Sequence, residues 1–397
     1  MAVIVTNAKD RIAYNIVKSL GQKGIPVYTS DFIRLSMSFA SRYSKGHFIY
    51  PSPFRYQTEF IECLQRNIDR LKVNVLIPVM EETFLISKFK ETLLKHVKMV
   101  VADYGQILTL HDKDRWRPLV SKLGIPLPRS YSAEELRTSD HKTKELKYPV
   151  LIKPRQGGGG WAIKQVGTRG ELERLLGEPL NDGFCWDRFF VQEKIEGETH
   201  CVAMLFREGE LRAKVTYRQL RDYPTTGGQA TVRTGIRNEK AEDYLQKLLE
   251  DLRWHGVCQA DFIADPQTNV PYLIDINPRF WGSLVQAIAS GVDFPYLLYK
   301  IAMEGDVKAV TNFKTGIMTR WIGGDLRAFA PLFKHSENKM QFLHRFVFPG
   351  NAHALYDDFS LSDPLPFLTW GLDALLRTAK NRSLRPIPHD SLEGVWD

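Results

Sequence analysis

A chain of 397 residues, 43% hydrophobic and 25% charged, is long enough for more than one core and too mixed in composition for a disordered or repeat architecture. Its net charge of +8 comes from basic residues spread along the chain rather than gathered in a block, which argues against nucleic acid as a partner and suits phosphorylated small molecules. No apolar run is long enough to span a bilayer, the first residues lack a signal-peptide layout, and Cys63, Cys185, Cys201 and Cys258 have no metal-ligand spacing, so a cytoplasmic protein with reduced thiols is expected.

The chain opens with an apolar strand at Val3–Thr6, a helical stretch through Ile12, Ile16, Val17 and Leu20, a stop at Gly24 and a second strand at Ile25–Tyr28. A strand at Val73–Val79, a helix around Phe84–Phe89 and a strand at Met99–Ala102 extend this βαβ start into a parallel, doubly wound domain over residues 1–107. The first turn, Thr6–Asp10, has no G-x-G-x-x-G, which disfavours a hydride-transfer enzyme. A helix from Asp112 to Leu123 ends at Gly124-Ile-Pro126, and the polar stretch Ser132–Lys147 leads into a second body of strands and helices.

The first chemical signal is Tyr148–Pro154, an apolar run carrying Lys153, followed by the glycines Gly157, Gly158, Gly159 and Gly160. A lysine inside such a run is costly unless it meets an anion, and successive glycines let backbone N–H groups approach phosphate oxygens. The alternative is a snorkelling lysine beside a flexible connection. The second signal is a pair of strands, Val257–Ala264 and Tyr272–Arg279, joined by the turn Asp265–Asn269. If Ala264 pairs with Tyr272, Asp261 lies opposite Asp275, and the period of two puts Asn277 on the same face. Two facing carboxylates repel, so a divalent cation between them is expected; the alternative is that either acid caps a turn.

Asp112-Lys113, Lys153 with Gly157–Gly160, Val191–Glu198, Asp261 and Asp275–Arg279 together resemble the ordered motifs of the ATP-grasp superfamily, over about residues 1–305, on the carbamoyl-phosphate-synthase-like branch of predicted carboligases. The resemblance implies an α/β fold in four parts. These are an N-terminal doubly wound parallel-sheet domain at 1–107, a linker helix and small α+β lid at 108–195, a larger α+β catalytic subdomain with an antiparallel sheet at 196–310, and a helical C-terminal extension at 311–397. It also implies that Lys113 and Lys153 hold ATP phosphates, that Gln192, Glu193, Lys194 and Ile195 form the hinge at the adenine, and that Glu198 binds ribose. Asp261, Asp275 and Asn277 would hold Mg²⁺, with Mn²⁺ as the alternative, and Arg279 would stabilise the reacting groups. The family usually has Glu where this chain has Asp275.

Lys214–Arg221 with Asp222–Gln229 and Arg233 looks like the branch's long inserted loop, in which Arg218, Arg221, Gly227, Gly228 and Arg233 are candidate contacts to an acidic substrate; an exposed basic loop is the alternative. Glu81 and Glu82 lie where related first domains reach the acceptor, but acids there also favour a helix N-terminus. The implied activity is ligation of a small-molecule or peptide carboxylate to an amine-like acceptor through an acyl phosphate, with ADP and phosphate released. The rivals are carbamoyl-phosphate-like or kinase chemistry and a non-catalytic ATP-binding module. Beyond residue 310, the apolar stretch Pro366–Arg377 and the following Lys380, Arg382 and Arg385 are expected to pack on the protein's own body, peripheral contact with an anionic membrane being the alternative.

Overall fold

Short β-branched runs separated by amphipathic helices build a four-stranded parallel sheet from β1 (Ala2–Val5), β2 (Val27–Asp31), β3 (Ser44–Ile49) and β4 (Val73–Ile77), in the order β3-β2-β1-β4. The strand period of two sends Val3 and Val5 into one core with Ile12, Ile16 and Leu20 of helix Arg11–Gly21, and Ile4 into another with Phe60, Leu64 and Ile68 of helix Gln57–Leu71. The architecture comes from a computed structural model that describes residues 1–157, 163–177, 186–224, 227–347 and 355–381.

Met99–Ala102 is not a strand. Only Lys98 bridges to Val75, and the four apolar residues after it are buried near Trp254 and Val257, so their hydrophobicity records burial between two bodies rather than pairing in a ladder. Nor is Ser132–Lys147 a plain connection: it holds helices Ala133–Thr138 and Asp140–Glu145. Ser132 Oγ accepts from Glu135 N at 3.2 Å while the Glu135 carboxylate accepts from Ser132 N at 2.8 Å, a capping box that starts the first helix.

Those helices flank a second sheet, antiparallel, of β5 (Ser130–Ser132), β6 (Val150–Pro154), β7 (Lys164–Val166) and β8 (Phe189–Glu193), in the order β5-β8-β6-β7 and with its own core around Val150, Ile152, Val166 and Val191. The largest sheet has seven strands: β9 (Glu198–Arg207), β10 (Glu210–Tyr223), β11 (Gln229–Gly235), β12 (Gly256–Ala264), β13 (Pro271–Asn277), β14 (Met318–Arg320) and β15 (Leu355–Tyr356). Its order is β13-β12-β9-β10-β11-β14-β15. Gly197 makes the junction between these two sheets, because a Cβ there would lie 2.2 Å from the Ala264 carbonyl oxygen.

The residues beyond 310 do more than form helices. They supply β14 and β15 as well as helices Ile322–His335, Lys339–Val347 and Leu365–Asn381, so the extension completes the large sheet. Buried acids fasten it: Asp325 takes Arg221 at 2.6 Å and Arg320 at 2.5 Å, and Asp357 takes Arg233 and, at 3.4 Å, Arg11. Removing one member of a buried ion pair leaves an uncompensated charge. Asp357→Ala is therefore expected to lower stability by about 3 kcal/mol or more, since Arg233 is wholly buried; equilibrium denaturation measures it, and a loss below about 1 kcal/mol would contradict this reading.

Candidate active site

Lys113 begins helix Lys113–Lys122, which Asp112 caps by accepting from Asp114 N. Its ammonium lies 2.8 Å from Asp275 Oδ1 and donates to the Gly157 carbonyl at 3.2 Å. Lys153, on β6, is buried and donates to Gln192 Oε1 at 2.7 Å. Burial first, and Lys113 second, lower its pKa to about 8, although Asp275 and Asp261 pull the other way. Two buried ammonium groups near one another form a site that binds anionic oxygen strongly, because each gains a counter-charge in place of lost water. Gly157 has φ +87°, a left-handed conformation that glycine adopts without strain; Gly158, Gly159 and Gly160 lie outside the described residues.

Asp261 stands opposite Asp275 across the β12–β13 ladder, by a route that simple alternation did not foresee. Ala264 pairs with Pro271, not Tyr272, because the turn after Asp265 holds Asn269 in a left-handed conformation and Asp265 N bonds Val270 O. A bulge between Asp261 and Phe262 then absorbs one residue and brings the two acids level. Gln259 ties the face together, donating to Asp261 Oδ1 at 2.6 Å and accepting from Asn277 Nδ2 at 2.8 Å. Burial first, and then Asp275, push Asp261 up to about 6. No group of three or more His, Cys, Asp or Glu side chains among the described residues is placed to hold a metal, so the set here is two carboxylates and the Asn277 amide.

Arg279 leaves β13 toward the parallel-sheet domain and meets Glu81 Oε1 at 3.5 Å. Glu81 follows β4, and with Asn7 after β1 it lies at the carboxyl ends of neighbouring strands whose connections run to opposite sides of the sheet, the crevice where open α/β sheets take ligands. Asn7 and Met80 both have left-handed backbones there, at φ 55° and 58°. Glu82 differs from Glu81. It is fully buried, accepts from Asn7 Nδ2 and Tyr50 OH at 2.9 Å each, and shapes the crevice from beneath rather than facing it.

At the other end, Gln192 and Glu193 close β8: the Gln192 side chain also donates to Ser130 Oγ at 3.2 Å, and Glu193 Oε1 accepts from Lys147 N at 2.8 Å. Lys194 N bonds Pro149 O, and Ile195 leads toward the exposed Glu198. Arg218 grips Glu198 with contacts of 2.7 and 3.0 Å, so two residues singled out for different reasons are brought together. The stretch Lys214–Arg221 is not a long loop but the body of β10, paired with β9 and β11; β10 ends at Tyr223 and β11 begins at Gln229. Gly228 N bonds Pro224 O there and its own Cβ would lie 2.2 Å from Pro224 N, while Gly227 has φ +109°. Arg221 and Arg233 are turned to Asp325 and Asp357, so as substrate contacts they are corrected: their partners are the buried acids of the extension.

The ATP-grasp domain family matches residues 111–283. This chain carries an ATP-grasp domain. The ATP-grasp fold is shared by an L-amino acid ligase from Bacillus licheniformis (TM-score 0.60, 14% identity, 76% of this chain and 74% of that one) and a biotin carboxylase from Campylobacter jejuni (TM-score 0.63, 15% identity, 80% and 74%). In sequence, the C-terminal section of the carbamoyl phosphate synthase large chain of Methanopyrus kandleri is 26% identical over 195 residues, 46% of this chain and 35% of that protein. The chain spans about a third or less of the length of the curated relatives it matches.

Three residues of the candidate site were not singled out by sequence. Gln259 lies two positions before Asp261 on the same strand face and could have been found by that period. His111, next to Asp112-Lys113, is held at about 4 by burial first and then by Lys113 and Arg279. Asp222, at the end of β10, is half-buried with no cation or hydrogen-bond donor against its carboxylate among the described residues; burial and Asp261 push it up to about 6. Only its neighbours in space reveal it.

Glu82 gives the protein a pH signature. Burial raises its pKa to about 7, above its unfolded value, so its stabilising share is complete below about pH 4 and is lost as pH rises through about 7. The lowered His111, His200, His255 and Lys153 work in the opposite direction, since each binds its proton more readily in the unfolded chain, so the share of Glu82 is read from the difference between the parent and Glu82→Gln. In thermal melts of the nucleotide-free protein, the parent should lose on the order of 1 kcal/mol relative to Glu82→Gln between about pH 6.5 and pH 8; a parent that holds or gains stability relative to the variant over this range would contradict the assignment.

Proposed function

We propose that the chain is an ATP-dependent carboxylate–amine ligase that forms an acyl phosphate and releases ADP and phosphate. The observation that carries this reading is the convergence of two buried lysines, Lys113 and Lys153, on two facing acids, Asp261 and Asp275. Lysines suit the phosphate oxygens of ATP, and the acids with Asn277 suit Mg²⁺, or Mn²⁺, which takes one or two carboxylates and fills its remaining positions with phosphate and water. When bound there, the metal supplies neutralisation of phosphate charge. The names of the similar proteins, an amino acid ligase, a biotin carboxylase and a carbamoyl phosphate synthase, support a ligase of small molecules.

In this mechanism Gln192–Ile195 and Glu198 hold adenine and ribose, and Lys113 and Lys153 fix the phosphates. A substrate carboxylate oxygen attacks the γ-phosphorus, the bond to ADP breaks, and the acyl phosphate results. An amine then attacks the acyl carbon and phosphate leaves, while Arg279 steadies the negative charge that develops. The crevice of Asn7 and Glu81 admits the acceptor, and Asp222 receives the ammonium before it gives up its proton. The test is ADP release with acid, amine or both. Release should require the acid and rise with the amine, and Asp222→Asn should raise the amine concentration needed for half-maximal rate. ADP release indifferent to every acid would contradict ligation, and nucleotide binding without cleavage would point to a binding module.

A further inference from the structure

Helix Leu365–Asn381 is apolar on two sides and the protein uses one of them. On the used side Phe367 meets Phe359 at 5.5 Å, Trp370 meets Phe367 at 5.7 Å and the Arg327 guanidinium at 5.5 Å, and the helix lies against the turn Met37–Ala40. Asp363, just before it, accepts from Ser41 Oγ at 2.6 Å and Arg42 N at 3.1 Å, so the helix is fastened in place. On the other side Leu365, Leu368, Leu372, Leu375 and Leu376, spaced to share one face, are between 50% and 70% exposed, and Leu361 before them is 88% exposed. A stripe of leucines in water marks an interaction surface.

Charge decides what covers it. Of the acids of this extension before Asp390, Asp325, Asp357, Asp358 and Asp363 are buried on internal partners, Asp373 is half-buried and Glu337 is exposed, against the exposed Lys334, Lys339 and Arg42. In sequence, Arg377, Lys380, Arg382 and Arg385 follow the leucines with no acid before Asp390. A second copy of the chain would bring the same cations to the same contact, where they repel. An anionic bilayer accepts both features, since leucines enter the acyl boundary while lysine and arginine meet the headgroups. No helix among the described residues is long and apolar enough to cross a membrane, so this one lies along the surface. We infer that the leucine face of helix Leu365–Asn381 docks the protein on an anionic lipid surface.

The test is flotation of the full-length protein with vesicles of phosphatidylcholine alone and of phosphatidylcholine mixed with phosphatidylglycerol. The protein should float with the anionic vesicles, less so at high salt, and Leu368→Gln/Leu375→Gln should reduce the bound fraction by about tenfold or more while its melting temperature is kept. Three results would overturn the inference: no flotation of the parent protein, equal flotation of the double variant, or a concentration-dependent dimer in sizing experiments that the leucine changes disperse without any vesicle binding.

Discussion

Lys153→Met is expected to lower turnover by at least about a hundredfold and weaken ATP binding, while the protein stays folded. The change removes a phosphate counter-charge at nearly constant length. Stability should move little, because two effects oppose. Lys153 is buried beside Lys113 and its charge is disfavoured there, so its loss is a relief, but Gln192 Oε1 loses the donor at 2.7 Å. Nucleotide titration, steady-state turnover and a melt of the same preparation check all three parts. Turnover close to the parent value would sink the phosphate role and leave Lys153 as a lysine that merely packs at a strand end.

Asp275→Asn should also lower metal-dependent turnover by about a hundredfold or more, and raise the Mg²⁺ concentration the reaction requires. Here too the structure makes the stability outcome small. The substitution relieves the repulsion with Asp261 across the ladder, yet it takes from Lys113 the carboxylate at 2.8 Å. Melts without nucleotide, set beside turnover at graded Mg²⁺, separate the two. A large loss of stability with an unchanged Mg²⁺ requirement would mean that the acid serves the fold and not the metal.

Local chemistry was legible where it depended on period and turn. Asp261 and Asp275 could be set face to face from the sequence because a hairpin with a Pro/Asn turn has few registers, and the bulge that restores their pairing cancelled the one-residue slip in the turn. The same reasoning failed where the deciding partner lies far along the chain. Arg221 meets Asp325, Arg233 meets Asp357, and Arg279 meets Glu81, contacts that no window of neighbouring residues contains. Glu81 and Glu82 are identical in type and adjacent in sequence, but the start of a helix sends one toward Arg279 and the other into the Asn7–Tyr50 pocket. Apolarity misled at Met99–Ala102, since burial by a neighbouring body and burial within a ladder leave the same composition. In the extension, the helix was foreseen and its strands were not, because three residues of β14 and two of β15 are too short to show a period.

Chemistry at the terminal phosphate is the claim on which the rest depends, and hydroxylamine tests it most directly. Offered with ATP, Mg²⁺ and an acid substrate, it should intercept the acyl phosphate, and mass analysis should find the hydroxamate of that acid together with ADP and phosphate. On the proposed reading the lysines and acids act on the γ-phosphoryl group, whereas an adenylating enzyme would centre its charge stabilisation on the α-phosphorus. The reaction should be run with and without a candidate amine, since the acceptor can help close the lid. Hydroxamate accompanied by ADP is the predicted result; AMP and pyrophosphate formed with an active acid would contradict it.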